Sequence, residues 1–483
     1  MLKIYNTLKR KKQVFHPIHD MHVGMYTCGI TAYFYPHIGN MRRYITEDIL
    51  KRVLLADGFT VEHIENVTDV GHLAGDANTT DDKMRVSAEK EHKTMRDIAN
   101  FYFNIFTKDM TRLNIIRPDK MVFASEHVQD MIDLMKRLDE KGYLYKISTG
   151  VYFDTSKFKG YGKLTGMTFR QLTQHLKAGA RVERIEGLRN ITDFAVWRFG
   201  DGKDMIWDTP WGRGFPGWHI ECSAMSMKYL GEHFDIHSGG VDHIPIHHSN
   251  EIAQSEAATG HPFVNYWVHG EFLTVDGQKM SKSIGNIYTV QDIVDRGFSP
   301  LALRLFMISG HYRQMLNFTF DALKNTDNTL KGIYSFIERT SDNKNKQSNP
   351  DTKDFKRNIR AATREFFRDL DDDINTPEAL ANVHKVINET NQRASTGTLN
   401  RSEARAVIKA MLEMDRVLGL SFEEHLITKR GTLNDEIRKL VDQREDARKK
   451  KDFKRADEIR IMLKEKYRIV LEDTKDGVSW HRE

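Results

Sequence analysis

Tyr26-Thr-Cys-Gly-Ile-Thr-Ala-Tyr-Phe-Tyr-Pro-His-Ile-Gly-Asn40 packs a strand end, a thiol, a turn and a helix start into fifteen residues. The run Val23 to Thr27 is short and partly apolar, as a buried parallel strand requires, and Gly29 is expected to break it. From Met41 the period changes. Met41, Tyr44, Ile45, Ile49 and Val53 recur at helical spacing, with Arg42, Arg43, Glu47 and Asp48 between them, so a helix follows with one face turned inward. The turn therefore lies at a strand's C-terminal edge beside the free N–H groups of a helix's first turn. Open α/β sheets hold anionic ligands at such edges.

The rest of the chain sets limits on that reading. Its 483 residues exceed one ordinary core, so two to four domains are expected. No apolar run approaches the roughly eighteen residues of a membrane span, and Met1-Leu-Lys-Ile-Tyr-Asn-Thr-Leu-Lys9 has no signal-peptide pattern; a soluble, cytoplasmic protein is expected, with no membrane partner. The 73 basic residues against 68 acidic ones lean mildly towards a polyanionic partner. Only two cysteines occur, Cys28 and Cys222, far apart in the chain. In a reducing compartment they suit a metal or catalytic role, or else two buried structural thiols.

Along the chain, Thr60 to Asn66 reads as a second strand, followed by Val67-Thr-Asp69. Leu73 to Lys83 is polar and reads as a surface loop, and 85–113 as a long amphipathic helix through Met95, Ile98, Phe101, Tyr102 and Ile105. Residues 118–199 form a separate piece with a helix near Val128–Lys141 and a hairpin over Leu144 to Asp154. Trp207-Asp-Thr-Pro-Trp-Gly-Arg-Gly-Phe-Pro-Gly-Trp218 leads into a helix starting near Trp218. Phe234 to Asp242 reads as a strand ending in a glycine turn, and Ile246 opens a helix on which His247 and Glu251 are four apart and share a face. Arg304, His311, Tyr312 and Arg313 fall near the end of this unit. A polar linker is expected over Thr340–Lys353. Helices follow, one starting at Asn375-Thr376-Pro377-Glu378 with Thr376 as its cap.

Zinc favours thiolate, imidazole and carboxylate in a tetrahedral set, which Cys28, Cys222, His247 and Glu251 would supply. Spacing alone leaves His248 open in place of His247, and leaves the His247–Glu251 pair open as a plain ion pair. His37-Ile-Gly-Asn40 resembles the HIGH motif of class I aminoacyl-tRNA synthetases, and Lys279-Met-Ser-Lys282-Ser283, roughly 240 residues on, matches their KMSKS loop. Cys28 to Tyr33 (CGxTxY), Pro216 to Cys222 (PGWHIEC), His247 to Ala257 (HHxNEIAQSEA) and the run Asn66, Thr68, Asp69 narrow the resemblance to cysteinyl-tRNA synthetases, over residues 22–310.

That resemblance implies an α/β fold, a class I synthetase Rossmann-like (HUP) parallel sheet with a connective-peptide insertion, then an α-helical bundle and a small C-terminal α+β module. The divisions expected are 1–117 and 200–315 for the two catalytic halves, 118–199 for the insertion, 316–425 for the bundle and 430–483 for an anticodon-binding module. The insertion is short, which argues against a large hydrolytic editing domain. The implied reaction converts L-cysteine and ATP to cysteinyl-adenylate and pyrophosphate, then transfers cysteine to tRNA(Cys), on a monomer carrying one Zn2+ per subunit and Mg2+ with ATP. By carry-over, His37, Asn40, Lys279 and Lys282 serve catalysis. His37, Gly39, Gly240, Asp242 and Lys282 face ATP, while Cys28, Gly29, Thr31, Thr68 and Trp218 surround the amino acid. Arg448, Lys451, Lys454, Arg455 and Trp480 meet tRNA, where basic groups and aromatic rings suit phosphates and splayed bases. The chain departs from the family at Asn40 in place of the last histidine of HIGH, at Ile30 where proline is usual, and at Ser249 where glutamate is usual. Two other readings compete: a ligase that gives cysteine to a small amine, as in mycothiol synthesis, and a noncatalytic paralogue. The basic tail speaks against the first, and His37, Lys279 and Lys282 against the second.

Overall fold

The structure is a computed structural model, and it describes residues 1–70, 94–179, 185–200, 205–281, 284–426, 435–449, 452–467, 469–474 and 477–482. Its centre is a five-stranded sheet. We label its strands β1 (His22–Thr31), β2 (Thr60–Thr68), β3 (Lys120–Phe123), β4 (Phe234–Gly240) and β5 (Val264–Gly270). The order across the sheet is β5-β4-β1-β2-β3 and every pair is parallel. The strand order reverses at β1 and β4, so the crevice at their C-terminal ends is the switch point where such sheets take ligands. Helix α1 (Ile38–Ala56) follows β1, α2 (Trp218–Leu230) precedes β4, and α3 (His247–Thr259) joins β4 to β5.

Several sequence expectations need correction, two of them in this sheet. Strand β1 does not stop at Gly29. It runs to Thr31 through a register shift between Thr27 and Ile30, because Gly29 is pressed so close to β2 that a Cβ would lie 1.5 Å from the Asn66 carbonyl oxygen. Glycine thus permits a bulge where the sequence suggested an end. The strand Lys120–Phe123, assigned to the insertion, pairs with β2 and is the fifth strand of the catalytic sheet.

The insertion proper carries an antiparallel four-stranded sheet over Leu144–Ile147, Gly150–Phe153, Phe194–Phe199 and Gly214–Pro216, which reaches past residue 199. Similarly, Leu316–Phe318 pairs with Leu273–Val275 rather than joining the bundle. The amphipathic helix expected over 85–113 spans Met95–Arg112 within the described residues, and the loop expected over Leu73–Lys83 lies outside them.

Four helices, Phe320–Ser341, Thr352–Asp371, Thr376–Ser395 and Arg401–Leu418, form the bundle. In its third helix Asn375, not Thr376, occupies the N-cap position, without a capping hydrogen bond from its side chain, and Thr376 and Pro377 already lie in the first turn. The bundle docks on the catalytic half through buried charge. Asp48 on α1 accepts from Arg52 Nε (2.8 Å) and Arg304 Nη2, and these two cations also bond the Arg416 and Leu418 carbonyls at the end of the last bundle helix. Arg304 is therefore a fully buried brace. At the tail, helices Asp435–Lys449 and Phe453–Tyr467 precede a hairpin of Ile469–Thr474 and Gly477–Arg482, an α+β unit.

Candidate active site and metal centre

A cavity of about 1290 Å3 opens at the C-terminal ends of β1 and β4. Cys28, Gly29, Thr31, His37, Gly39, Asn40, Thr68, Trp218, Cys222, Gly240, Asp242, His247 and Lys279 all line it. One expected metal ligand, Glu251, lies behind the wall and is fully buried.

The bulge of β1 sets Cys28. Gly29 N donates to Asn66 Oδ1 at 2.7 Å, Asn66 Nδ2 donates to Thr68 Oγ1 at 3.1 Å, and Thr68 Oγ1 donates to Glu221 Oε2 at 2.7 Å. A relay thus ties β1, the end of β2 and α2 together, and the Thr68 hydroxyl is spent on it. Behind the bulge, the Arg43 guanidinium donates to the Cys28 carbonyl and pairs with Glu47 at 3.3 Å.

Helix α3 supplies the remaining donors from its first two turns. Cys28, His247, His248 and Glu251 are all buried, and one ligand atom of each lies within 4.8 Å of every other. Cys222, from α2, brings Sγ to 3.6 Å from His247 Nε2. His248 Nε2 lies 3.2 Å from Cys28 Sγ and 4.0 Å from Glu251 Oε1. Three of the expected ligands, Cys28, His247 and Glu251, are therefore in mutual reach together with His248, the alternative the sequence left open, while Cys222 stands outside that group and approaches it at His247.

A second layer, which sequence reading missed, orients these groups. His219 Nδ1 lies 2.9 Å from His247 Nδ1, His269 Nε2 lies 2.8 Å from His248 Nδ1, and His237 Nε2 lies 2.8 Å from Glu251 Oε2. Both histidines of α3 consequently turn Nε2 towards the thiols. Trp218 stacks on His247 with ring centroids 4.2 Å apart.

The donor set fits a soft divalent cation on one observation in particular. Glu251 Oε1 lies 2.9 Å from His247 Nε2 without a well-formed hydrogen bond, so this buried carboxylate oxygen is held by ion pairing alone and keeps acceptor capacity facing the imidazoles and the Cys28 sulfur. Burial alone would raise the Glu251 carboxyl, but His237 and His247 outweigh it and hold the group at about 2. Burial likewise opposes ionisation of Cys28, and Cys222, His248 and His247 overcome it, so this thiol falls well below its ordinary range. Burial and the neighbouring Cys28 push Cys222 the other way.

On the opposite side of the cavity, His37 is the N-cap of α1. Its Nδ1 accepts from Asn40 N (3.2 Å), and Asn40 Oδ1 accepts from His37 N (3.1 Å). The residue that departs from HIGH is therefore half of a capping box, a role its sequence position did not announce. Gly39 lies under Met280: a Cβ there would come within 2.2 Å of the methionine Cε. Lys279 is exposed at the end of the hairpin Leu273–Val275 and Gln278–Lys279, with Nζ 5.7 Å from the Phe272 ring centroid. Lys282 lies outside the described residues, as does Lys451. Trp480 is placed on the last strand, and Lys454 and Arg455 are exposed on the helix Phe453–Tyr467, with Arg448 on the helix before it.

This fold and cleft are those of a class I tRNA synthetase. Residues 14–328 match the family described as tRNA synthetases class I (C) catalytic domain, and residues 365–423 match the DALR domain. The fold is shared with Mycobacterium tuberculosis methionyl-tRNA synthetase bound by methionyl-adenylate, with a TM-score of 0.61 and 14% identity over 84% of this chain and 93% of that one. Curated relatives narrow the assignment. A cysteine–tRNA ligase of Treponema denticola is 40% identical over 508 residues, covering 100% of this chain and 99% of its own length, and one of Thermococcus gammatolerans is 41% identical over 489 residues, with 100% and 99% covered. The chain belongs to the cysteine–tRNA ligase family. Among the described residues no helix is long and apolar enough to cross a membrane.

Proposed function

We propose that this chain joins L-cysteine to the 3′ end of tRNA(Cys) using ATP, and that a zinc ion held by Cys28, Cys222, His247 and Glu251 selects the amino acid by its sulfur. The observation that supports this reading is the buried convergence of the Cys28 thiol, two imidazoles and the Glu251 carboxylate, whose Oε1 makes no well-formed hydrogen bond. When bound, zinc supplies a soft Lewis acid that prefers thiolate to hydroxyl, which separates cysteine from serine where shape cannot. His248 acts from beside the set, with Nε2 3.2 Å from the Cys28 sulfur. Trp218 fixes the His247 plane and walls the side-chain pocket.

The remaining residues position the reactants. His37 and the positive N-terminal end of α1 hold the phosphates, with Ile38 N already given to the Tyr288 carbonyl and Asn40 N to His37 Nδ1, and Gly39 gives the adenine room against the backbone. Gly240 allows close approach of the adenosine, and Asp242, exposed at the cavity edge, reaches the ribose hydroxyls. The cysteine carboxylate oxygen attacks the α-phosphorus, and the bond to pyrophosphate breaks. Lys279 and Lys282, with the Mg2+ that accompanies ATP, neutralise the charge on the leaving group. The terminal ribose hydroxyl of tRNA then attacks the adenylate carbonyl and AMP leaves. Arg448, Lys451, Lys454, Arg455 and Trp480 form the tRNA contact of the tail, and the working unit is a monomer in the cytosol.

The test is cysteine-dependent ATP–pyrophosphate exchange with serine as control, followed by charging of tRNA, alongside metal content by mass spectrometry. Cys222→Ser and His247→Ala are expected to lose zinc and exchange together, and His248→Ala to keep the metal. A fully active protein without zinc, or equal exchange with serine, overturns the reading. Exchange without charging points instead to a ligase for a small amine.

A further inference from the structure

Residues 311–314, His-Tyr-Arg-Gln, form a strap between the bundle and the cleft, and it is gripped from both sides. On the cleft side Arg42 of α1, only 3% exposed, donates four hydrogen bonds to backbone carbonyls. Its Nη1 donates to Glu271 O (3.0 Å) and Phe272 O, and its Nη2 to His311 O (3.2 Å) and Gln314 O. Glu271 N donates to Tyr312 O (2.8 Å) and Leu316 N to Phe272 O (3.2 Å). The hairpin that carries Lys279 begins at Leu273, so its root is sewn to the strap.

On the bundle side the strap meets the fully buried Asp373, in the elbow between two bundle helices. Asp373 Oδ1 accepts from Tyr312 OH (2.7 Å) and Tyr5 N (2.8 Å), and Oδ2 accepts from Arg313 Nε (2.7 Å) and lies 2.6 Å from Arg313 Nη2. The elbow is strained: Asp373 has φ 69° and Ile374 has φ 54°, and a β-branched residue in the left-handed region persists only where its surroundings over-determine it. The donors on Asp373 provide that constraint.

We propose that Asp373 is a positioning residue for amino-acid activation. Through the strap it holds the bundle in register with the root of the Lys279 hairpin and with α1, which carries His37. This rests on the cleft being the site of cysteine activation. A structural brace of equal burial elsewhere would affect folding alone; this one ends on the two elements that face the triphosphate.

The experiment compares wild type with Asp373→Asn, which keeps the size and an acceptor for Tyr5 N but turns an amide donor towards Arg313. A folded variant with zinc retained and cysteine KM within twofold is expected to lose at least tenfold in kcat for exchange. Arg42→Lys, which shares no hydrogen bond with Asp373, is expected to give a similar loss, and the double variant is expected to fall no further than the worse single one. Independent sites would multiply their losses. Exchange by Asp373→Asn within twofold of wild type, or multiplied losses in the double variant, overturns the proposal. If Asp373→Asn does not fold, Arg313→Met breaks the same pair from the more exposed side and is read by the same criteria. A wild type without cysteine-dependent exchange sinks the activation reading and this proposal with it, whereas exchange preserved in the variants sinks the proposal alone.

Discussion

Gly29→Ala is a one-methyl test of how the metal centre is built. The added Cβ would stand 1.5 Å from the Asn66 carbonyl oxygen and 2.7 Å from its carbon, and both belong to the backbone of a strand buried between neighbours. Reaching an ordinary contact of 3.4 Å needs a shift of about 1.9 Å, and β2 is the less free to give it. The bulge must therefore move, taking Cys28 with it and breaking the 2.7 Å bond from Gly29 N to Asn66. Metal–ligand bonds tolerate about 0.2 Å, so a displacement of this size removes Cys28 from the set. Overpacking adds about 1–3 kcal/mol of destabilisation. We expect a folded protein with a lowered Tm, zinc well below one per chain, and a fall in kcat/KM for cysteine-dependent exchange of at least ~100-fold, since even outer-shell changes cost about 10–100-fold. Stoichiometric zinc with exchange within threefold of wild type would refute the reasoning.

Three further outcomes can be checked more simply. Burial raises the Glu47 carboxyl to about 7 despite the opposing attraction of Arg43; a folded value above the ordinary 4.5 means the folded state binds more protons. Stability is then lost as pH rises from about 4.5 through 7, by up to ~3 kcal/mol, and Glu47→Gln should flatten the Tm–pH profile across that window; an unchanged slope contradicts it. Asn40→Ala removes half of the capping box and should lower stability by about 1 kcal/mol in denaturant melts while slowing exchange through a loosened His37, so an unaltered midpoint argues against the cap. Ending the chain after Leu433 should leave exchange within twofold and impair charging, and intact charging would free the tail of any tRNA role.

What could be read in the sequence were features with a local spacing. The helix faces, the i, i+4 pair of His247 and Glu251, and the order of the motifs around Cys28, Cys222 and Lys279 all depend on neighbours in the chain. What escaped depends on partners far away. The bulge at Gly29 is dictated by Asn66 on another strand, and Lys120–Phe123 is a catalytic strand only because it pairs with β2. His219, His237 and His269 come from three segments, and no periodicity marks them as the layer behind the ligands. Asn40 was legible as a departure from HIGH but not as a cap, since histidine is an unusual partner for such a box.

The side chains of the proposed metal site come from residue 28 and from residues 222 to 251, on either side of the insertion. During synthesis Cys28 leaves the ribosome long before any of its partners exist, and at about 5–20 residues per second the wait is on the order of ten seconds or more. For that interval the chain carries a lone thiol whose final environment is not yet made. If the proposed zinc binds there, its loading would report that both halves of the sheet have closed on each other, and oxidant or zinc shortage at that moment would be felt as lost yield rather than as lost activity of finished molecules.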